Sequence, residues 1–106
     1  MGKAEASTVK ELRAFKQLLS KRMVVQQMIL YGSRARGDYL KHSDVDVIVV
    51  SDGFKSIPFL ERIYQTSKYW KYDLPLEVFC YTSEEFAEKK KESSYMKMIL
   101  KEGISV

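Results

Sequence analysis

The hexapeptide Val45-Asp46-Val47-Ile48-Val49-Val50 sets the tightest limit on what this chain can fold into. Apart from its single acid it is all β-branched and apolar, which marks a strand. A strand with one wet face alternates apolar and polar residues, whereas a nearly unbroken apolar run needs cover on both faces. That requirement calls for helices on either side of a sheet. The flanking sequence supplies them. Val9, Leu12, Phe15, Leu19 and Met23 recur at helical spacing and predict an amphipathic helix over residues 8–22, with Thr8 and Glu11 as a capping box. Residues 23–31 read as a strand broken by Gly32, residues 33–37 as a short helical turn, residues 38–42 as a loop and residues 51–55 as a turn. Ser56 is placed to cap a helix that carries Pro58 in its first turn, with Phe59, Leu60, Ile63, Tyr64, Ser67 and Trp70 on or near one face. After Pro75, residues 76–81 read as a third strand. Thr82 and Glu85 form a second capping box for a helix over residues 83–91, and a last helix fits residues 94–101 with Gly103 as its stop. The expected class is α/β (α+β): a small mixed sheet of three to four strands flanked by helices. It forms a single domain over residues 1–106, in which residues 1–6 are a disordered tail.

Composition removes several other classes. The chain has 106 residues, 45% hydrophobic and 30% charged, enough apolar content for a packed core. No apolar run approaches the ~20 residues of a membrane span, and the opening MGKAEAS has no signal-peptide core. Cys80 is the sole cysteine, so neither an internal disulfide nor a structural zinc site is available. A cytoplasmic protein is expected. Net charge is +4, with a balance of +6 over residues 1–43 and −2 over the remainder. That bias suits a polyanionic ligand, although a solvated surface explains it equally well.

One stretch carries chemistry: Gly32-Ser33-Arg34-Ala35-Arg36-Gly37, then six residues, then Asp44-Val45-Asp46. Glycine at a strand end lets a phosphate approach the backbone, and the opening of a helical turn presents free N–H groups. The Ser33 hydroxyl adds a donor. Asp44 and Asp46 stand two apart at the start of a strand and share a face, while Val45, Val47 and Val49 turn to the core. Two carboxylates so close repel unless a cation lies between them, and hard oxygen ligands beside a phosphate suit Mg²⁺. The only acid in residues 76–81 is Glu77, the candidate third carboxylate. Asp73 is its rival, set back by the intervening Pro75. Two Mg²⁺ ions on such a triad could clamp the attacking and leaving oxygens of an in-line displacement, and Glu77 could take the proton of an attacking hydroxyl.

The string GSRARGDYLKHSDVDVIVV resembles the nucleotidyltransferase signature of the DNA polymerase beta superfamily, and the short chain resembles its minimal nucleotidyltransferases. The resemblance implies a nucleotidyltransferase fold and transfer of a nucleoside monophosphate from an NTP to a hydroxyl with Mg²⁺. It implies that Gly32 and Ser33 bind the triphosphate, that Asp44 and Asp46 hold the metals, and that Glu77 stands where the family commonly has Asp. Minimal members pair with a small helical HEPN-type ribonuclease toxin, so the implied role is an antitoxin that moves AMP from ATP onto its partner. Glu77 is one methylene longer than the usual residue. That departure keeps a binding-only antitoxin as an alternative, and transfer to RNA, at which the basic charge of the first half hints, or to a small molecule is another.

The remaining candidates are read conservatively. Arg34 and Arg36 either brace the turn by pairing with acids or, for Arg36, contact phosphate. Ser43 reads first as a turn residue and second as part of the nucleotide-binding set with Gly32, Ser33 and Arg36. His42 is a surface residue, Cys80 a core residue, and Lys89–Lys91 a solvated helix face. Tyr64, Tyr69, Trp70 and Tyr72 form a helix face rather than a base-stacking surface. An exposed sheet edge would permit a homo-oligomer.

Overall fold

A computed structural model describes residues 5–106. Its strands are β1 (Gln27–Tyr31), β2 (Val45–Val50), β3 (Leu76–Tyr81) and a short β4 (Ile104–Ser105), in the sheet order β3-β2-β1-β4. β1 runs antiparallel to β2 and to β4, and β2 runs parallel to β3. The helices are α1 (Ala6–Ser20), α2 (Ser33–Arg36), α3 (Phe59–Ser67), α4 (Ser83–Glu92) and α5 (Ser94–Glu102), with a 3-10 turn at Asp52–Phe54. None of them is long and apolar enough to cross a membrane.

The sheet is covered on both faces, as the apolar run in β2 demands. One layer packs Val45, Val47, Val49, Met28, Leu30, Val78 and Cys80 against Leu12, Phe15 and Leu19 of α1. The other packs Ile48, Val50, Ile29, Tyr31 and Tyr81 against Phe86 of α4 and Met96 and Ile99 of α5. Asp46 belongs by alternation to this second face, at the start of β2, and is only partly buried.

β2, β3, α2 and the Thr82–Glu85 capping box take the places the sequence predicts. Elsewhere the structure corrects the expectation. α1 begins at Ala6 behind Glu5, and Thr8 lies inside it, buried, with its hydroxyl donating to Glu5 Oε2 at 3.2 Å. The predicted Thr8–Glu11 box does not form, because Thr8 and Glu5 instead serve the buried guanidinium of Arg34. Glu5 and Ala6 thus belong to the folded part, while the remainder of the expected tail, residues 1–4, lies outside the described residues. β1 starts at Gln27 rather than Met23, because its partner strand ends at Val50, opposite Gln27.

α3 is rotated relative to the predicted face. Leu60 and Tyr64 are 78% and 74% exposed, while Arg62 and Thr66 are buried. Arg62 turns inward because it has acceptors there: Ile57 O at 2.8 Å, Cys80 O at 3.2 Å and the Glu85 carboxylate at 2.6 Å. Pro58 is the cap residue, and Ser56 lies in the preceding loop with φ +67°. Trp70 falls beyond the helix end and packs edge-on against Phe15, with ring centroids 5.5 Å apart. Gly103 ends α5 in an extended conformation, since the chain passes straight into β4.

Candidate active site

The end of β1 and the starts of β2 and β3 lie side by side. Tyr31 is the register partner of Asp46 across β1–β2, and Glu77 is the partner of Asp46 across β2–β3. Equal alternation therefore brings Asp46 and Glu77 to one face, and Asp44 joins them from just ahead of β2. Carboxylate oxygens of Asp44, Asp46 and Glu77 lie within 4.8 Å of one another. Asp73 is outside this group, so the acid of β3, not the acid ahead of Pro75, completes it.

The cluster is electrostatically unfavourable as it stands. Asp46 is half-buried, and its carboxyl is pushed up to about 6, first by burial, then by the charges of Glu77 and Asp44. Arg36 pulls weakly the other way. The buried Tyr31 phenol is also driven above its ordinary range, by burial and then by the charges of Asp46 and Glu77. Crowded carboxylates with hard oxygen donors are the chemistry of a divalent-cation site, and a cation would relieve the repulsion that raises Asp46.

Gly32 couples the acids to the serine turn. Its φ of +76° and ψ of −158° suit glycine alone, and a Cβ there would run into Oδ2 of Asp46. The glycine is thus needed twice, for the backbone angle and for close approach to the central acid. α2 follows at Ser33, and Gly37 ends it with φ +87°.

The two arginines have separate roles. Arg34 is 2% exposed. Its Nε donates to Ser43 O at 3.0 Å, its Nη2 to Lys41 O at 3.2 Å and its Nη1 to Glu5 Oε2 at 3.3 Å, and the ring of Tyr39 lies 4.5 Å from its Cζ. Arg34 therefore ties α1 and the loop over residues 38–43 to the turn, and so fixes where Asp44 begins. Arg36 is half-exposed and pairs with Asp38 at 3.2 Å and Glu102 at 3.0 Å. Ser43 closes the loop: its Oγ accepts the Leu40 N–H at 2.8 Å.

Glu102 is a residue that sequence reasoning missed. From the end of α5 it accepts the Gly32 N–H at 3.2 Å while holding Arg36. No local pattern marks it, since α5 and β4 bring it back across the sheet. The strand pattern likewise gives Tyr31 no place beside the acids; its pairing with Asp46 does. Cys80 is core as expected, with its thiol pushed up to about 11 by burial. His42 is exposed, and Lys89–Lys91 form an exposed stretch of α4.

A small α+β domain with clustered carboxylates on adjacent strands and a glycine-serine turn against them defines a class of nucleotide-handling transferase. More particularly, the chain belongs to the nucleotidyltransferase domain family, which it matches over residues 10–106, and it is a nucleotidyltransferase. It is 35% identical over 80 residues to the putative protein adenylyltransferase MJ0604 of Methanocaldococcus jannaschii, covering 74% of this chain and 75% of that one. Its fold is that of a crystal structure described as a putative nucleotidyltransferase from Sulfolobus solfataricus, with a TM-score of 0.56 at 23% identity over 99% of this chain and 89% of that one.

Proposed function

We propose that the protein moves AMP from ATP to a hydroxyl group of a partner protein, with Mg²⁺ held by Asp44, Asp46 and Glu77. One observation carries this reading: the three carboxylates converge within 4.8 Å beside a turn whose glycine touches the central acid. When bound, Mg²⁺ supplies charge neutralisation for the transferred phosphoryl group and the departing pyrophosphate. The chain's own residues do the rest. Gly32 and Ser33 seat the triphosphate, which takes the place of the Glu102 carboxylate at the Gly32 N–H and at Arg36 and so gains the Arg36 guanidinium for its oxygens. Ser43 serves by fixing the loop ahead of Asp44. Glu77 takes the proton of the acceptor hydroxyl as its oxygen bonds to the α-phosphorus and the bond to the β-phosphate oxygen breaks.

A protein acceptor is favoured by the description of the Methanocaldococcus relative as a protein adenylyltransferase. The signature's likeness to minimal nucleotidyltransferases supports a HEPN-type toxin as that acceptor, with this chain as its antitoxin. The position of Glu77 within the acid group favours catalysis over neutralisation by binding alone. The test is incubation with α-labelled ATP, Mg²⁺ and a HEPN-type partner. Label should pass to the partner and be lost with Asp44→Asn and Asp46→Asn. An unlabelled partner, or equal labelling by the variants, contradicts the proposal.

A further inference from the structure

We infer that a groove on β3, lined by Phe59, Phe79, Tyr81, Glu85 and Lys89, seats the acceptor and selects a hydroxyl flanked by an apolar or aromatic residue. This rests on the transferase reading above and specifies its acceptor side. The groove has a volume of about 430 Å³. Glu77, Phe79 and Tyr81 alternate onto one face of β3, so Phe79 lies one pleat pair, roughly 6–7 Å, from the third acid. Phe59, at the start of α3, stands over the strand with its ring centroid 6.4 Å from Phe79 and 5.7 Å from Tyr81. Neither phenyl group is buried: Phe59 is 38% exposed and Phe79 is partly exposed. Rings left open to water beside a cluster of acids form a surface for apolar contact, with the Lys89 and Glu85 side chains as its polar rim.

The sheet order decides which substrate belongs there. Gly32 ends β1 and touches Asp46 from that side, whereas Glu77 approaches Asp46 from β3, the opposite side. Phosphoryl transfer places the entering and leaving oxygens roughly in line. With the triphosphate seated at the β1 side, pyrophosphate departs toward Gly32 and Arg36. The hydroxyl must then enter from β3, along the groove.

The experiment measures AMP transfer from α-labelled ATP with Mg²⁺ onto a pool of synthetic peptides. Each peptide has one Ser, Thr or Tyr, flanked by Phe, Leu or Ile or by Gly, Asp or Lys. Calorimetric ATP–Mg²⁺ affinity is measured in parallel. The wild-type protein should label apolar-flanked peptides roughly tenfold more than the others. Phe79→Ser and Phe59→Ser should remove that preference while leaving ATP–Mg²⁺ affinity within about twofold, and Phe79→Leu should retain it. Labelling that ignores the flank, or a preference that survives both serine variants, overturns the groove alone. Serine variants that lose ATP affinity assign the groove to the donor and overturn the inference. A wild-type protein that labels an RNA oligonucleotide but no peptide overturns both the groove and the protein acceptor.

Discussion

Two charged clusters flank the Gly-Ser turn and are built in opposite ways. Around Arg34 the guanidinium is buried, and its nitrogens meet two backbone carbonyls, a carboxylate, a hydroxyl and a tyrosine ring. Around Asp46 three carboxylates crowd together, and the central one is held up at about 6. The first cluster has its partners within the protein; the second has none among its own acids, and a cation is the partner proposed for it. The difference separates structural from functional charge: satisfied polar networks rigidify a fold, while self-repelling ones are retained where a ligand resolves them.

The contrast is broken most severely at the acids. Asp46→Asn should reduce transfer by about 10³-fold or more, since it removes the central negative charge of the proposed metal site, as measured by initial rates with labelled ATP. Next in size is the arginine cluster. Arg34→Met should cost about 3–5 kcal/mol in urea unfolding, because Glu5 and the carbonyls of Lys41 and Ser43 lose their donor. Arg36→Met, whose ion pairs lie at the surface, should leave the urea midpoint nearly unchanged yet raise the KM for ATP.

A smaller effect has the opposite sign. Asp46 has a raised carboxyl in the fold, so its contribution to stability is present below the unfolded value near 4 and is lost as pH rises through about 6. Metal-free protein should therefore melt lower at pH 8 than at pH 5 on this account. At pH 8 metal-free Asp46→Asn should be more stable than wild type by about 1 kcal/mol once solvent screening of this half-buried group is allowed for. Mg²⁺ should raise the melting temperature of the wild type and not of the variant.

The same contrast explains what the sequence could and could not foretell. β2 and β3 follow from local pattern, and alternation along each fixes the face of its acid; the parallel register of the two strands then sets Glu77 beside Asp46. The Thr82–Glu85 box is equally local. The Arg34 network is not: its acceptors lie on α1 and on a loop, and their demand moved the start of α1 past the Thr8 signal. Arg62 turned α3 away from its apolar stripe for the same reason, because carbonyls of other elements offered it partners. Glu102 reaches Gly32 from the opposite end of the chain. Long-range satisfaction of buried polar groups is what a single sequence leaves unmarked.

The carboxylates of residues 44, 46 and 77 are expected to share a divalent cation with a triphosphate seated against Gly32 and Ser33. The direct measurement is a crystal structure with Mg²⁺ and an ATP analogue that cannot be cleaved at the α-phosphorus. Metal density is expected between those side chains, with the β- and γ-phosphates at the turn. Nucleotide bound elsewhere, with the three carboxylates still apart from any metal, would contradict it.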